Sequence, residues 1–229
     1  PGLLSFGSQA SSLLGLSLMR SSWWCEMHGD LQDHWNTAYS EKTDQQVSWH
    51  QEDAQPSLDL ILDGQVAKDL SVIDVGAGRS RLADALVAAG CRDLTLLDIS
   101  NEALSAVRER MVEYQPTFVT ADVTQWKPHR TWDVWHDRAV FHFLTETAER
   151  AAYMRRLRAA TRPGSRIVMA TFAEDGPRRC SGLPVQRYSA AEMSAQLGQS
   201  FTFRSTIKLT HVTPSGAPQS FRYSIFSRV

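Results

Sequence analysis

The stretch VIDVGAGRSRLADAL, residues 72–86, decides the fold of this chain. It starts as an apolar run typical of a buried strand, turns through Gly76 and Gly78, and continues with apolar residues at helical spacing. A strand, a glycine-rich turn and a helix in this order are the first unit of a parallel sheet. Ligands of such sheets bind at the carboxyl ends of the strands. The residues around this turn therefore indicate what the protein binds.

Apolar runs and segments of helical period alternate along the rest of the chain. We predict strands at residues 71–75, 93–100, 116–122, 131–137 and 165–173. We predict helices at residues 31–43, 56–64, about 79–89, 101–111, 146–160 and 189–198, the fifth ended by the RPG sequence at 162–164. Ser100 or Asn101 is the expected N-cap of the helix at 101–111.

The C-terminal segment has a different period. Residues 201–214 and 219–229 alternate apolar with polar side chains around the turn sequence PSGAP, which predicts an antiparallel hairpin. Strands that alternate with helices imply a parallel sheet with right-handed crossovers. The expected fold class is therefore α/β, a doubly wound, mostly parallel seven-stranded sheet with a C-terminal antiparallel hairpin.

Composition excludes several classes of function. The 229 residues carry a formal net charge of -1, so electrostatics give no reason to expect nucleic acid or an anionic membrane as partner. No apolar run reaches the length of a membrane span. Three widely spaced cysteines argue against a disulfide framework and a structural zinc site and favour a reducing compartment. We expect a cytoplasmic protein, a monomer or dimer, with no metal.

Residues 1–27 differ from the rest of the chain. They are rich in serine, and no acidic residue precedes Glu26. Three interpretations stay open: a transit peptide, a vector-derived remnant, and upstream sequence ahead of a start at Met19 or Met27. We expect a disordered or non-native leader here and a single domain over residues 28–229.

Acidic residues at strand ends indicate the ligand. A dinucleotide fingerprint would need a third glycine where Arg81 stands, and no phosphate-binding P-loop sequence is present. Asp98 ends the second predicted strand, where a carboxylate accepts both hydroxyls of a ribose. Asp122 ends the third and suits an adenine amino group, while Asp74 beside the turn suits positive charge. A ligand with a ribose, an adenine and positive charge but no phosphate is S-adenosylmethionine.

With these residues in these positions, the sequence resembles the class I S-adenosylmethionine-dependent methyltransferases. The resemblance covers residues 30–229 and depends on the spacing of five blocks. They are VIDVGAG (72–78), LLDIS (96–100), ADV (121–123), WDVWHDRAVFHF (132–143) and RPGSRIVMATF (162–172). Ser80 departs from the pattern, because many members carry a third glycine there. The chain is similar in character to thiopurine-type small-molecule enzymes and to compact lysine methyltransferases.

The resemblance implies a cofactor site for S-adenosylmethionine and its product S-adenosylhomocysteine. The implied cofactor-binding residues are Trp35, Tyr39, Asp74, Gly76, Gly78, Asp98, Ile99, Asp122, Val123 and His136. Asp74 would hold the methionine amino end and Asp98 the ribose. Ile99 would lie on the adenine face, with Asp122 and Val123 at its edge. His136 and Asp137 would lie near the methyl group, and they are the catalytic candidates, Asp137 first.

The substrate candidates are Trp49, His142 and Arg187. Trp49 lies in a polar loop, where an apolar ring suits a lid over the substrate. The loop at 172–193 is rich in Gly, Pro and Arg, and Arg187 within it would meet an anionic substrate. Structural interpretations stay open beside these: core packing for His142, helix packing for Trp35 and Tyr39, and an ion pair of Asp137 with Arg138.

These residues favour methyl transfer to a small molecule. Transfer to protein lysines is the alternative, although the chain has DRAV at 137–140 where compact lysine methyltransferases carry other signatures. A base-methylating N-P-P-Y sequence is missing, which disfavours nucleic-acid targets. A non-catalytic S-adenosylmethionine-binding module and a nucleotide-dependent oxidoreductase with an irregular fingerprint also stay open.

Overall fold

A seven-stranded sheet organises the part of the chain that the computed structural model describes, residues 31–229. The helices are α1 (31–41), α2 (Ser57–Leu62), α3 (Leu82–Ala88), α4 (Asn101–Arg110), α5 (Thr147–Ala159) and α6 (Ala190–Leu197). The strands are β1 (Ser71–Val75), β2 (Asp93–Asp98), β3 (Thr117–Thr120), β4 (Trp132–Arg138), β5 (Thr161–Phe172), β6 (Arg179–Cys180), β7 (Leu183–Pro184), β8 (Phe201–Val212) and β9 (Pro218–Arg228). The leader predicted at residues 1–27, with Cys25, lies outside the described residues.

The strand order in the large sheet is β3-β2-β1-β4-β5-β9-β8. The first five strands in this order are parallel, and β9 joins β5 antiparallel, with β8 at the edge. The predicted fold class is confirmed, including the terminal hairpin. The order reverses between β1 and β4, so a crevice forms beyond their carboxyl ends.

Two apolar layers cover the faces of the sheet. All five residues of β1 are buried, and two consecutive residues of this strand, Val72 and Ile73, belong to different apolar clusters. The cluster of Val72 contains side chains from α2, α3 and α4, whereas that of Ile73 contains side chains from α5 and α6. Alternation along a strand therefore determines which layer each side chain faces.

Ser100 caps α4, because its hydroxyl accepts the Ala103 N–H at 3.2 Å. This agrees with one of the two predicted N-caps. The other helices of the α/β units begin close to their predicted residues, except that α3 begins at Leu82 and not near residue 79. The turn after β1 takes up the intervening residues.

Two other boundaries differ from the prediction. The RPG sequence at 162–164 belongs to β5, which already begins at Thr161, because Thr161 pairs with Trp132 before a register shift. The loop after β5 contains the short antiparallel ribbon of β6 and β7. Ser181 and Gly182 both have positive φ (49° and 77°) at its turn, as a type I′ hairpin requires.

None of the helices in residues 31–229 has the length and apolarity needed to cross a lipid bilayer.

Candidate functional site

The glycine turn after β1 is held against the end of β2 by backbone hydrogen bonds. The N–H groups of Gly76 and Ala77 both donate to the Leu97 carbonyl, at 2.7 and 3.1 Å. The Gly78 N–H donates to Asp98 Oδ2 at 2.8 Å. Gly76 and Gly78 have φ of 69° and 54°, a left-handed conformation that favours glycine.

The same two glycines leave no room for side chains. A Cβ on Gly76 would lie 2.0 Å from Val140 Cγ2, and one on Gly78 would lie 2.6 Å from the Tyr39 hydroxyl oxygen. The turn therefore packs directly against the segment after β4 and against α1. These contacts make a narrow floor for a ligand at the end of β1.

Asp98 is buried beneath this turn. Its Oδ1 accepts the Ser100 N–H at 2.8 Å, so each oxygen binds one backbone N–H. A carboxylate offers about four lone-pair positions, and the backbone donors do not occupy all of them. Burial raises the pKa of Asp98 to about 6, although the N–H groups of Ser100 and Gly78 oppose the shift. Hydroxyl donors from a ligand would stabilise the ionised form.

Asp74, His136 and Ser57 form a buried chain of hydrogen bonds. Asp74 and His136 are register partners on β1 and β4, and Asp74 Oδ1 lies 2.7 Å from His136 Nδ1. His136 Nε2 lies 2.9 Å from the Ser57 hydroxyl at the start of α2. The imidazole is thus oriented by a carboxylate on one nitrogen and linked to a hydroxyl on the other.

A pocket of about 1320 Å³, part of it open to solvent, lies over these residues. Its lining includes ten residues of the predicted cofactor and substrate sets besides His136. They are Trp35, Tyr39, Trp49, Asp74, Gly76, Gly78, Asp98, Ile99, Asp122 and Val123.

Aromatic rings close one side of the pocket. The Trp35 ring lies 5.5 Å from the Trp49 ring and 5.2 Å from the Phe143 ring, in both cases edge to face. Tyr39 and Trp49 pack at 6.0 Å. The predicted lid loop thus rests on α1 through aromatic contacts, so packing and pocket lining are both roles of Trp35 and Tyr39.

Asp122 stands at the predicted adenine edge of the pocket, but its carboxylate also holds its own turn. Oδ1 accepts the N–H and the hydroxyl of Thr124, at 2.7 and 2.8 Å, and Oδ2 accepts from the Gln125 amide at 3.1 Å. Val123, the next residue in the chain, and Ile99, which follows β2, also line the pocket. The turn therefore presents Asp122 in a fixed orientation.

The catalytic role predicted for Asp137 finds no support in the geometry. Asp137 is fully buried outside the pocket, where it accepts the Tyr153 hydroxyl and the N–H groups of Val140 and Phe141. Strand alternation explains the placement, since Asp137 faces the α5 layer while its neighbours on β4 face the pocket. The ion pair with Arg138 left open above is not formed either. Asp137 holds the chain after β4.

Two substrate candidates also lie outside the pocket. His142 is fully buried, its Nδ1 accepts the Phe172 N–H at 3.3 Å, and burial lowers its pKa to about 3. Its structural interpretation is therefore the one the geometry supports. Arg187 donates to the Gly176 carbonyl at 3.2 Å and so supports the loop after β5. Neither residue lines the pocket.

The structure adds pocket residues that the sequence reasoning missed. Ser57, Arg138, Cys180 and His50 all line the pocket. A signal for Arg138 was available, because a period of two on β4 places residues 136 and 138 on the same face. No comparable signal existed for Ser57 or Cys180, which reach the pocket from distant parts of the chain.

Comparison with known proteins agrees with this architecture. A family model described as a methyltransferase domain matches residues 72–164, which include the glycine turn, Asp98 and His136. Residues 72–164 therefore carry a methyltransferase domain, and the fold around it is shared with solved methyltransferases that hold S-adenosylhomocysteine. No curated protein matches the chain significantly.

Solved structures resemble the methyltransferase over most of its length. One, from work on the conversion of a disulfide bond into a thioacetal group in echinomycin biosynthesis, is 20% identical over 86% of this chain and 92% of its own, with a TM-score of 0.69. The N-methyltransferase NodS from Bradyrhizobium japonicum WM9, in complex with S-adenosylhomocysteine, is 15% identical over 85% and 98%, with a TM-score of 0.68.

A third is 1,6-didemethyltoxoflavin-N1-methyltransferase from Burkholderia thailandensis, with 1,6-didemethyltoxoflavin and S-adenosylhomocysteine bound. It is 21% identical over 98% of this chain and 93% of its own, with a TM-score of 0.63. At these identities the likeness establishes the fold, and the site of this methyltransferase must be argued from its own residues.

The methyltransferase pocket fits its cofactor. Asp98 keeps lone pairs for hydroxyl donors, and the left-handed glycines bring backbone within reach of a ligand. Arg79, which flanks the turn, is already engaged by Asp44 at 3.0 Å and by the carbonyls of Tyr39 and Lys42. Acidic strand ends beside an arginine that is already engaged suit a ribose and a positively charged group better than a phosphate. Residues 31–229 contain no group of three or more metal-ligating side chains.

We predict that Gly76→Ala destabilises the methyltransferase and weakens its binding of S-adenosylhomocysteine. An alanine in the left-handed region costs about 1–2 kcal/mol, and its Cβ would also displace Val140. Gly164→Ala is the matched control, because Gly164 also has a positive φ (88°) but nothing lies within 4 Å of its Cβ position. Chemical denaturation and calorimetric titration measure both effects. Equal losses of stability and unchanged ligand affinity in the two variants would contradict the close packing of the turn.

A second prediction concerns Asp137, whose pKa burial raises to about 6 against hydrogen bonds from Tyr153 and Val140. The folded protein therefore binds this proton more tightly than the unfolded chain, and stability falls as the pH rises through about 4 to 6. Asp137→Asn removes this dependence. The unfolding free energy of the wild type minus that of the variant should therefore decrease over this pH range in denaturant titrations. A difference that stays constant with pH would show that Asp137 is not held in a desolvated site.

Proposed function

We propose that this methyltransferase transfers a methyl group from S-adenosylmethionine to a small-molecule acceptor. The observation that carries the proposal is the glycine turn held on the buried Asp98 carboxylate and opening into an aromatic-walled pocket. Such a turn binds a ribose-containing ligand at the topological switch point of the sheet. The rest of the pocket, under Trp35 and Trp49, receives the second substrate.

In this proposal, one part of the pocket binds the cofactor and the part under the aromatic rings binds the acceptor. Asp98 accepts the ribose hydroxyls, Ile99 and Val123 flank the adenine ring, and Asp122 lies at the adenine edge. Asp74 provides negative charge beside the turn for the methionine amino group. S-adenosylmethionine supplies the electrophilic methyl group, so the chain contributes mainly alignment and exclusion of water. Aromatic closure by α1 and the Trp49 loop serves that exclusion.

His136 is the candidate general base. Asp74 orients the imidazole through Nδ1, and Nε2 contacts the Ser57 hydroxyl, which lines the pocket. A proton leaving the acceptor would pass to the Ser57 oxygen while the Ser57 proton passes to His136 Nε2. Asp74 then stabilises the imidazolium that forms. This relay assigns the catalytic role to His136 and Ser57, which line the pocket, and not to Asp137, which lies outside it.

A small acceptor is favoured over a protein lysine by the enclosure of the pocket. The aromatic wall, the Trp49 loop and Cys180 of the β6–β7 ribbon surround the space beside the cofactor half. The 1,6-didemethyltoxoflavin-N1-methyltransferase, which shares the fold, holds 1,6-didemethyltoxoflavin together with S-adenosylhomocysteine.

The proposal extends to the oligomeric state, the partners and the compartment of the enzyme. We propose a monomer or dimer acting on diffusible small molecules, with no nucleic-acid partner. Cys91 and Cys180 are both unpaired thiols. The wide spacing of the three cysteines, Cys25, Cys91 and Cys180, supports a reducing compartment such as the cytoplasm.

Calorimetric titration with S-adenosylhomocysteine tests the cofactor half. We expect micromolar binding by the wild type and a loss of tenfold or more in Asp98→Ala, because hydrogen bonds to a carboxylate are lost. Asp93→Ala is the matched control, since Asp93 begins the same strand and pairs with Arg130 outside the pocket. Binding equally tight in Asp98→Ala would reject the ribose assignment, and no binding by the folded wild type would reject the proposed function.

The same titration has a pH signature. Ribose donors favour the ionised Asp98, whose pKa in the free protein is about 6, so protons compete with the ligand below that pH. Affinity should fall below pH 6, with a slope approaching about tenfold per pH unit. Asp98→Asn cannot titrate and should lose most of this slope.

The base is tested with an acceptor identified by screening thiols, amines, carboxylates and peptides. Ser57→Ala should lower kcat by about 10²-fold or more and shift the acidic limb of the pH profile, with little change in S-adenosylhomocysteine affinity. Ser40→Ala, an exposed serine of α1, is the control. An unchanged kcat and pH profile in Ser57→Ala would show that the relay is structural.

A further inference from the structure

Among residues 31–229, Arg138 is the one pocket arginine that forms no ion pair with a carboxylate. It ends β4 and lines the pocket. Nη1 donates to the Trp49 carbonyl at 2.9 Å, whereas Nε and Nη2 are buried with no hydrogen-bond partner. No carboxylate in the described chain forms an ion pair with it.

The other arginines of the pocket are neutralised. Arg79 pairs with Asp44 at 3.0 Å, and Arg81 lies 4.0 Å from Asp84. Both flank the glycine turn on the cofactor side. Arg138 instead lies on the side of the aromatic wall and the Trp49 loop, where its guanidinium stacks 4.8 Å from the centre of the Phe221 ring.

A buried guanidinium without a counter-charge is unfavourable, because it stays protonated and loses its hydration. Its field is felt nearby: after burial, the charge of Arg138 is the second cause that lowers the pKa of His142. The ring stacking and one carbonyl do not satisfy the remaining two donors. An anion that supplies two acceptor oxygens would.

The two unpartnered donors have a specific geometry. Nε–H and one N–H of Nη2 lie on the same edge of the planar guanidinium and point in parallel. This edge matches the two oxygens of a carboxylate in a bidentate pair. The aromatic rings of Trp35, Trp49 and Phe143 offer an apolar surface for the rest of the same molecule.

We propose that the methyl acceptor is an aromatic carboxylic acid whose carboxylate binds Arg138 through Nε and Nη2. This inference rests on the proposed function and names its substrate class. His136 and Arg138 lie two residues apart on one face of β4, about 7 Å along the strand. The carboxylate is therefore the anchor, and a second heteroatom of the acceptor, on the side of Ser57 and His136, receives the methyl group.

The test uses the 229-residue protein saturated with S-adenosylhomocysteine and compares its affinity for carboxylic acids with its affinity for the corresponding neutral amides. The pairs are benzoate with benzamide, salicylate with salicylamide, and indole-3-acetate with indole-3-acetamide. We expect at least one acid to bind 10- to 100-fold more tightly than its amide, the range of a hydrogen-bonded charge pair. Arg138→Met should abolish that preference and Arg138→Lys should restore only part of it, because lysine keeps the charge but not the fork.

Arg204→Met is the matched control, because Arg204 is an exposed arginine on β8 outside the pocket. It should keep the preference for acids, and all variants should keep the affinity for S-adenosylhomocysteine. Acids that bind no better than amides, or not at all, would overturn the inference, as would a preference that survives in Arg138→Met. If the folded wild type does not bind S-adenosylhomocysteine, the proposed function is rejected, and the inference is rejected with it.

Discussion

The buried carboxylate of Asp98 is the constraint on which the rest of the site depends. It binds the Gly78 N–H of the turn and the Ser100 N–H at the start of α4, so one side chain joins β1, β2 and two helices. A desolvated carboxylate is stable only when donors surround it, which the two backbone groups partly achieve. Asp98 is thus a structural clamp, and the proposed ribose contact would use its remaining lone pairs.

Strand β4 shows how one stretch of sequence serves two different purposes. His136 and Arg138 face the pocket, while Trp135 and Asp137 face the α5 layer, where Tyr153 donates to Asp137 and lies 2.9 Å from the Trp135 ring nitrogen. The face toward α5 fixes the chain after the strand, and the opposite face presents His136 and Arg138 to the pocket. A buried acid beside a histidine is therefore a poor guide to catalysis until its side of the strand is known.

Much of the fold was predictable because it follows from local periodicity. The strand of residues 71–75, the glycine turn and the terminal hairpin each have a clear pattern, and their order implies a doubly wound sheet. The β6–β7 ribbon and the start of β5 were missed. Two-residue strands have no period, and the RPG sequence that usually ends an element here continues one through a register shift.

The sequence by itself determined the fold class and the ligand edge of the sheet, because strand ends, glycines and acidic residues are local features. Only the tertiary structure decided which polar side chains share the pocket. Ser57 meets His136 across 79 positions of the chain, and Arg138 reaches the carbonyl of Trp49 across 89. Such contacts depend on how α2 and the Trp49 loop pack on the sheet, and no short-range pattern encodes that packing.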